Sequence, residues 1–232
     1  MQLGELMTSL SLGLLRNLSV GGSGSGTIPG QSQALVIDAI NKGLVALFTR
    51  FSLIEKEVII RAYDNQTLYP LKRRYADQDP TVVTQKFIAD TADEPFHEDI
   101  VKILGIFDEE GSEMLLDDPD PSCIMFRPKP TTLQITQPVT GNSYSVIYQG
   151  YHPKILNNPL TQEIEIPPIM QEALECYVAY RIMNPMNGQE HSAKALEHFQ
   201  RYELLCQEII ENDTLGLSLA ADSDKLKDRG FV

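Results

Sequence analysis

Apolar residues recur at helical spacing toward the end of the first quarter of the chain. Val36, Ile40, Leu44, Leu47, Phe48 and Phe51 define one buried face of a helix running from about Ser32 to Ile54. The charge pair Glu55-Lys56 ends that period. EVIIRAY (57–63) follows, β-branched and partly alternating, which predicts a strand. An earlier amphipathic helix is predicted to about Leu18, with Leu3, Leu6, Met7, Leu10 and Leu14 on one face. Between the two lies GGSGSGTIPG (21–30), read as a flexible connection. It is not a phosphate loop: no Gly-Lys-Ser/Thr follows, the spacing is not GxGxxG, and no strand precedes it.

From Glu57 to Ile166 the pattern is short β-rich runs punctuated by Pro, Gly, Asn and Asp. EVIIRAY and TLYPL, parted by Asp64-Asn65-Gln66, outline a tight hairpin. Residues 72–95 are polar and predict a long surface loop with one short helix. IVKILGIF (100–107), the turn DEEGSE and MLL predict a second hairpin, and SCIMF and TTLQI further strands. SYSVIYQGYH is the clearest alternating run, and EIEIP (163–167) a short strand before the next helix. Such a set fits a small antiparallel sandwich or twisted sheet.

Pro167-Pro168 opens a third helix where proline costs nothing. Met170, Leu174, Tyr177, Val178 and Ile182 form its apolar face, and Asn184-Pro185 stops it. Asn187 and Glu190 read as a capping pair for a fourth helix, with Ala195, Phe199, Tyr202, Cys206 and Ile209 as a packing seam. The fold class expected is α+β. A four-helix bundle of the N- and C-terminal helices (1–55 and 167–213) carries an inserted antiparallel β-rich domain (56–166), and 214–232 is an extended C-terminal tail or arm.

Composition narrows the function. The chain has 42% hydrophobic and 22% charged residues, ordinary for a globular protein. With 19 basic against 32 acidic side chains the net charge is −13, which argues against a dedicated phosphate-backbone binder. It suits a wall that DNA slides past. Cys123, Cys176 and Cys206 have neither disulfide-framework nor zinc spacing and read as reduced core residues. No basic n-region or cleavage pattern marks a signal peptide, and no apolar run reaches membrane-spanning length, so synthesis in the cytosol and no membrane partner are expected.

Candidate chemistry is sparse. The histidines at 191 and 198 are two turns apart and HExxH is absent, so both read as surface or capping residues. No GxSxG occurs. DEEGSEMLLDDPDP lacks the register of a calcium loop and reads as a solvated acidic hairpin tip, with weak cation binding or an electrostatic lining as the alternative. Lys72, Arg73 and Arg74, with Arg127 and Lys129, are the basic clusters and read as subunit-contact or rim charges. No catalytic residue, metal ligand or cofactor is assigned. A soluble metal-dependent enzyme with its site around Asp117 is the rival from another class.

The order of weak motifs resembles the head-to-tail adaptor (head-completion, or connector) proteins of tailed bacteriophages, especially short-tailed ones. The residues concerned are INKGLVALFTRFSLIEKEVII, TLYPL, and IEIPPIMQEALECYVAYRIMNPMNGQEHSAKALEHFQRYELLCQEI. The last contains an H.A…F..YE-like pattern at His191, Ala193, Phe199, Tyr202 and Glu203. The resemblance implies a structural virion protein, not an enzyme. Such a protein forms a homo-oligomeric ring, twelve copies in that family, docked beneath the portal in the neck. The ring extends the DNA channel, passes double-stranded DNA without specific binding, and gives the tail or nozzle its platform. A neck or tail-fibre adaptor elsewhere in the virion is the alternative. Leu226, Phe231 and Val232 are then expected to anchor the tail on the portal or on a neighbouring subunit.

Overall fold

The computed structural model describes residues 1–83, 85–156, 160–186 and 188–212. The chain is α+β, 38% helical and 21% strand, and every strand ladder is antiparallel. It divides into two compact units, one built from residues 1–47 and 154 onward, the other from 48–153.

The first unit holds the helices α1 (Leu3–Leu12), α2 (Gly30–Arg50), α3 (Gln171–Met183) and α4 (Gln189–Glu211), the last residues of α2 belonging to the second unit. Leu3, Leu6, Met7 and Leu10 of α1 are buried. This helix stops at Leu12, short of the Leu18 expected, because Gly13 follows and its N–H closes back on the Ser9 carbonyl. The glycine-rich segment is not a flexible connection. Ser19–Gly24 forms 3-10 turns, with Gly22 and Gly24 at positive φ. Its Gly21 is buried, and the Gly21 carbonyl accepts the Ser11 hydroxyl at 2.5 Å. A Cβ there would lie 2.1 Å from the Leu15 carbonyl oxygen, so glycine is used for close approach.

Helix α3 follows a 3-10 turn at Pro168–Met170, as the diproline predicts. Helices α3 and α4 form the most extensive helix–helix contact. Their seam is aromatic: Tyr177 meets Tyr202 with ring centroids 5.1 Å apart, and Tyr180 meets Phe199 at 4.9 Å. Ala195, Tyr202, Cys206 and Ile209 are buried, as the seam periodicity requires. The Asn187 cap lies outside the described residues. EIEIP forms no strand: Glu163 bridges only to Gln2, and the two prolines, lacking N–H donors, cannot extend a ladder.

The second unit contains two sheets. In the first, β3 (Ile88–Ala89), β1 (Glu55–Arg61), β7 (Ser143–Gly150) and β4 (Ile100–Phe107) lie in that order. In the second the order is β2 (Leu68–Pro70), β6 (Thr132–Ile135), β5 (Met125–Lys129). Val58, Ile60, Ile103, Ile106, Val146 and Tyr148 of the larger sheet share one buried cluster with Tyr69, Met125, Leu133 and Ile135 of the smaller.

Two hairpins differ from expectation. β1 and β2 are not paired. The turn closes through Gln66 N–H to the Tyr63 carbonyl (2.9 Å), but Tyr69 is fully buried and its hydroxyl accepts the Tyr63 N–H at 2.9 Å, which carries β2 into the other sheet. MLL forms no strand: Glu113 before it bridges to Phe107, Met114 N–H meets the Ile106 carbonyl at 2.8 Å, and Leu116 bridges in parallel to Met125 of β5.

A buried polar side chain bonds to the passage from α2 to β1. Gln149 of β7 is buried, and its amide nitrogen donates to the carbonyls of Phe48 and of Phe51, the latter at 2.8 Å. The Phe48 carbonyl belongs to the last turn of α2, which leaves such groups without intrahelical donors, and the Phe51 carbonyl just beyond it also accepts the Leu53 N–H at 3.0 Å. Gly150 N–H then meets the Ile54 carbonyl at 2.9 Å, so the chain enters β1 already in register with β7.

Candidate functional site

The described residues hold three places where polar chemistry collects, all within the 48–153 unit. The first is basic. Lys72, Arg73 and Arg74 are exposed at a 3-10 turn, Arg73–Tyr75. Arg74 lies over the Tyr75 ring, 4.8 Å from its centroid, and Arg73 reaches Asp79 at 3.4 Å. Hydrogen bonds from Thr81 hold the Asp79 carboxyl below its usual range. Arg127 is turned inward: its guanidinium donates to the Ile103 carbonyl at 2.7 Å and pairs with Asp117 at 3.1 Å. Lys129 beside it is exposed.

The second is the acidic stretch 108–120, whose carboxylates serve the backbone. Asp108 accepts N–H bonds from Glu110 (2.9 Å) and Ser112 (2.8 Å), and Glu109 accepts that of Ser143 at 2.7 Å. Asp120 accepts from the Ser122 hydroxyl (2.6 Å) and N–H (2.7 Å), bonds that hold its carboxyl below the usual range. Asp117 sits at φ 55 and accepts the Arg127 N–H at 2.7 Å. Among the described residues, no group of three or more His, Cys, Asp or Glu side chains could hold a metal ion.

Asp117 combines a left-handed backbone with two bonds to Arg127, so its substitutions separate the two contributions. Asp117→Asn keeps an acceptor and tolerates positive φ. Asp117→Gly loses the side chain but relieves the backbone, and Asp117→Ala loses both. The expected order of destabilisation by urea unfolding is Asn, Gly, Ala, with Ala about 2–3 kcal/mol below the wild type.

The third place lies beside β1. Lys56 pairs with Asp99 at 2.5 Å, and the Tyr148 hydroxyl donates to the other Asp99 oxygen at 3.2 Å. Burial pushes the Tyr148 hydroxyl far up, and the neighbouring Asp99 charge pushes it further, so it stays a donor at all ordinary pH values. These residues border a cavity of about 630 Å³ between the β1 edge and the loop that follows β3. The sequence pattern alone does not mark it: Glu55-Lys56 reads only as the end of a helix period, and a two-residue β3 leaves no periodicity to read. The available signal was the concentration of carboxylates in ADTADEP beside EKE.

In the helical unit, α4 leaves large apolar side chains in solvent: Leu196, Leu204 and Ile210 are 57%, 59% and 55% exposed. Glu172 of α3 holds the Arg201 guanidinium of α4 at the surface. His198 is half-buried, neither a surface residue nor a cap, and burial lowers its pKa. Cys123, Cys176 and Cys206 are buried, and none forms a disulfide. Burial pushes the Cys176 thiol up to about 11, which leaves it a poor nucleophile. No helix among the described residues is long and apolar enough to cross a membrane. Leu226, Phe231 and Val232 lie outside the described residues.

No protein-family model matches the chain, and no curated protein matches it.

Proposed function

We propose that the protein is a structural virion component, a head-to-tail adaptor that assembles as a ring beneath the portal. In this reading the four helices form a bundle that packs against neighbouring subunits. The 48–153 unit faces an adjacent subunit or the next tail component. The observation that carries it is the outer surface of α4. Leu196, Leu204 and Ile210 each expose more than half of their area, and apolar side chains in such number on one long helix suit lateral packing in an oligomer. The order of motifs resembling the adaptor family supports the same reading, as does a net charge of −13, which favours a channel wall that repels DNA. The virion neck is the location, with assembly in the host cytoplasm. Neither an enzymatic activity nor a cofactor belongs to this reading.

Lys72, Arg73, Arg74 and Lys129 are then rim charges. Arg127 contributes through the loop it braces. Leu226, Phe231 and Val232 anchor the C-terminal arm on the portal or a neighbour. The test is incubation of the purified protein with portal rings from the same virion, followed by electron microscopy. A ring capping the portal is expected, and deleting 222–232 is expected to weaken its assembly while leaving the helical circular dichroism signal intact. Failure to bind portal rings, together with labelling elsewhere in the virion, overturns the reading. A neck or tail-fibre adaptor at another position is the outcome that such labelling distinguishes. A large, specific rise in melting temperature on adding a divalent cation would favour the metal-dependent enzyme instead.

A further inference from the structure

Strand β1 is paired along its whole length on one side and only in part on the other. With β7 it pairs from Glu55 to Arg61; with β3 it pairs at Ile59 and Ile60 alone. Backbone parity follows from the flanking bonds. Ala62 N–H donates to Asn142 and the Ile54 carbonyl accepts from Gly150, so even-numbered residues face β7. Arg61 N–H donates to the Phe87 carbonyl, so odd-numbered residues face β3. The N–H and C=O groups of Glu55 and Glu57 therefore point to the side where β3 has ended, and among the described residues no bond to them closes that side.

β3 ends because Asp90 pulls the chain away. Its carboxylate accepts the Gln78 N–H at 2.9 Å and the Phe96 N–H at 3.0 Å, which curls residues 91–94 into a turn. Phe96 is buried against the Tyr148 ring, with centroids 6.3 Å apart, and fixes the far wall. The space left is the cavity of about 630 Å³, within the roughly 300–1,000 Å³ of ordinary ligand clefts. Six carboxylates and one lysine line it, and that lysine, Lys56, is already paired with Asp99. Glu55, Glu57, Asp90, Asp93 and Glu94 are left as net negative charge around an open row of backbone hydrogen-bonding groups.

We infer that this edge is a docking site for an extended, lysine- or arginine-rich segment of another protein, which adds to the larger sheet as a strand beside Glu55–Val58. The open backbone groups supply the ladder, the walled cavity receives side chains from one face of the added strand, and the carboxylates select cations. Charged residues on an edge also discourage random pairing. Here nearly all the charge has one sign, so it repels acidic strands and attracts basic ones. The inference rests on the 48–153 unit alone and goes beyond the adaptor reading, standing or falling apart from it.

The test uses the full chain and a labelled peptide of about eight residues alternating lysine with valine, followed by fluorescence anisotropy at low and moderate salt. Three comparisons accompany it: the same peptide N-methylated at alternate backbone positions, its glutamate counterpart, and the protein variants Glu57→Pro and E55K/E57K. Proline at 57 removes the outward N–H and no bond to β7. Saturable binding of the lysine peptide is expected. N-methylation or Glu57→Pro should weaken it by at least about tenfold, as loss of one or two main-chain bonds requires. The E55K/E57K variant should lose the preference for lysine over glutamate peptide. Should Glu57→Pro lower the melting temperature too far to compare, the N-methylated peptide and E55K/E57K decide, because neither alters the ladder. Absence of saturable binding overturns the inference. So does equal binding of the N-methylated peptide, which would mean attraction by charge without strand addition.

Discussion

Gln149→Glu is expected to destabilise the protein by about 3–5 kcal/mol at neutral pH, the cost of a buried carboxylate without a cation. The wild-type amide donates to the carbonyls of Phe48 and Phe51, and its own oxygen is buried with no partner. A glutamate there offers only acceptors to two acceptors. Burial and carbonyl dipoles both disfavour its charged form, so its folded-state pKa is raised above the unfolded value of about 4.3. A raised folded pKa places the stabilising proton on the folded protein. The variant is therefore closest to wild type below about pH 4, where a protonated carboxyl can donate one bond, and loses stability as pH rises through the folded pKa. Gln149→Leu separates donor loss from charge. It removes the amide donor from both carbonyls, though that of Phe51 keeps the Leu53 N–H, and also removes the orphaned oxygen, for a net cost of about 1–3 kcal/mol with no pH dependence of its own. Urea unfolding from pH 4 to 8 should rank wild type, leucine, glutamate at pH 7, with the glutamate gap narrowing as pH falls. A Gln149→Glu protein equally stable across that range would show that the amide is not what holds the end of α2.

This residue marks where sequence reading stops. β7 was legible because Tyr144, Val146 and Tyr148 alternate toward one buried face, and the period places Gln149 on the other. A polar residue there reads as solvated. It is buried because the ending helix brings two carbonyls to it from about a hundred positions earlier, a contact no local pattern encodes. The helices were legible for the opposite reason. α2, α3 and α4 carry their own apolar stripes, and the bounds of α3 follow from Pro167-Pro168 and Asn184-Pro185, whereas α2 ends at Arg50, short of the Ile54 expected. The division of strands between two sheets was not legible. Asp64-Asn65-Gln66 makes a turn, yet whether the next strand folds back or departs depends on where Tyr69 is buried.

The candidate site follows the same division. Carboxylates of the 108–120 stretch were visible as charge, but their use as backbone acceptors emerges only when Asp108, Asp117 and Asp120 are placed beside the N–H groups they serve. Arg127 changes in the same way, from a rim charge to a brace on Asp117 and Ile103. The β1 edge is the reverse case, since its sequence looks like an ordinary charged strand end. Its character comes from what is missing beside it after Ala89.

The second large effect is expected at Gly43, where α2 passes α3. A Cβ on Gly43 would lie 2.6 Å from Leu174 Cδ1 and 3.2 Å from Tyr177 Cδ1. Leu174 is fully buried, so its methyl cannot swing into solvent. Two terms of opposite sign therefore act on Gly43→Ala. Alanine gains about 1 kcal/mol of helix propensity over glycine, while forcing a methyl into a packed contact costs about 1–3 kcal/mol. The sum is a loss of about 1 kcal/mol. For Gly43→Leu the propensity gain is no larger and three more carbons must be accommodated, so the helices must separate, with a loss of about 3 kcal/mol or more. At roughly 2–4 °C per kcal/mol for a chain of this size, the leucine variant should melt about 6–12 °C below wild type, and the alanine variant about 2–4 °C below. Pairing Gly43→Leu with Leu174→Ala checks the cause. The shortened partner opens the space the leucine needs, so the double variant should be more stable than the sum of the two single losses predicts, by at least about 1 kcal/mol. Strict additivity would place the damage in the helix itself rather than at the crossing.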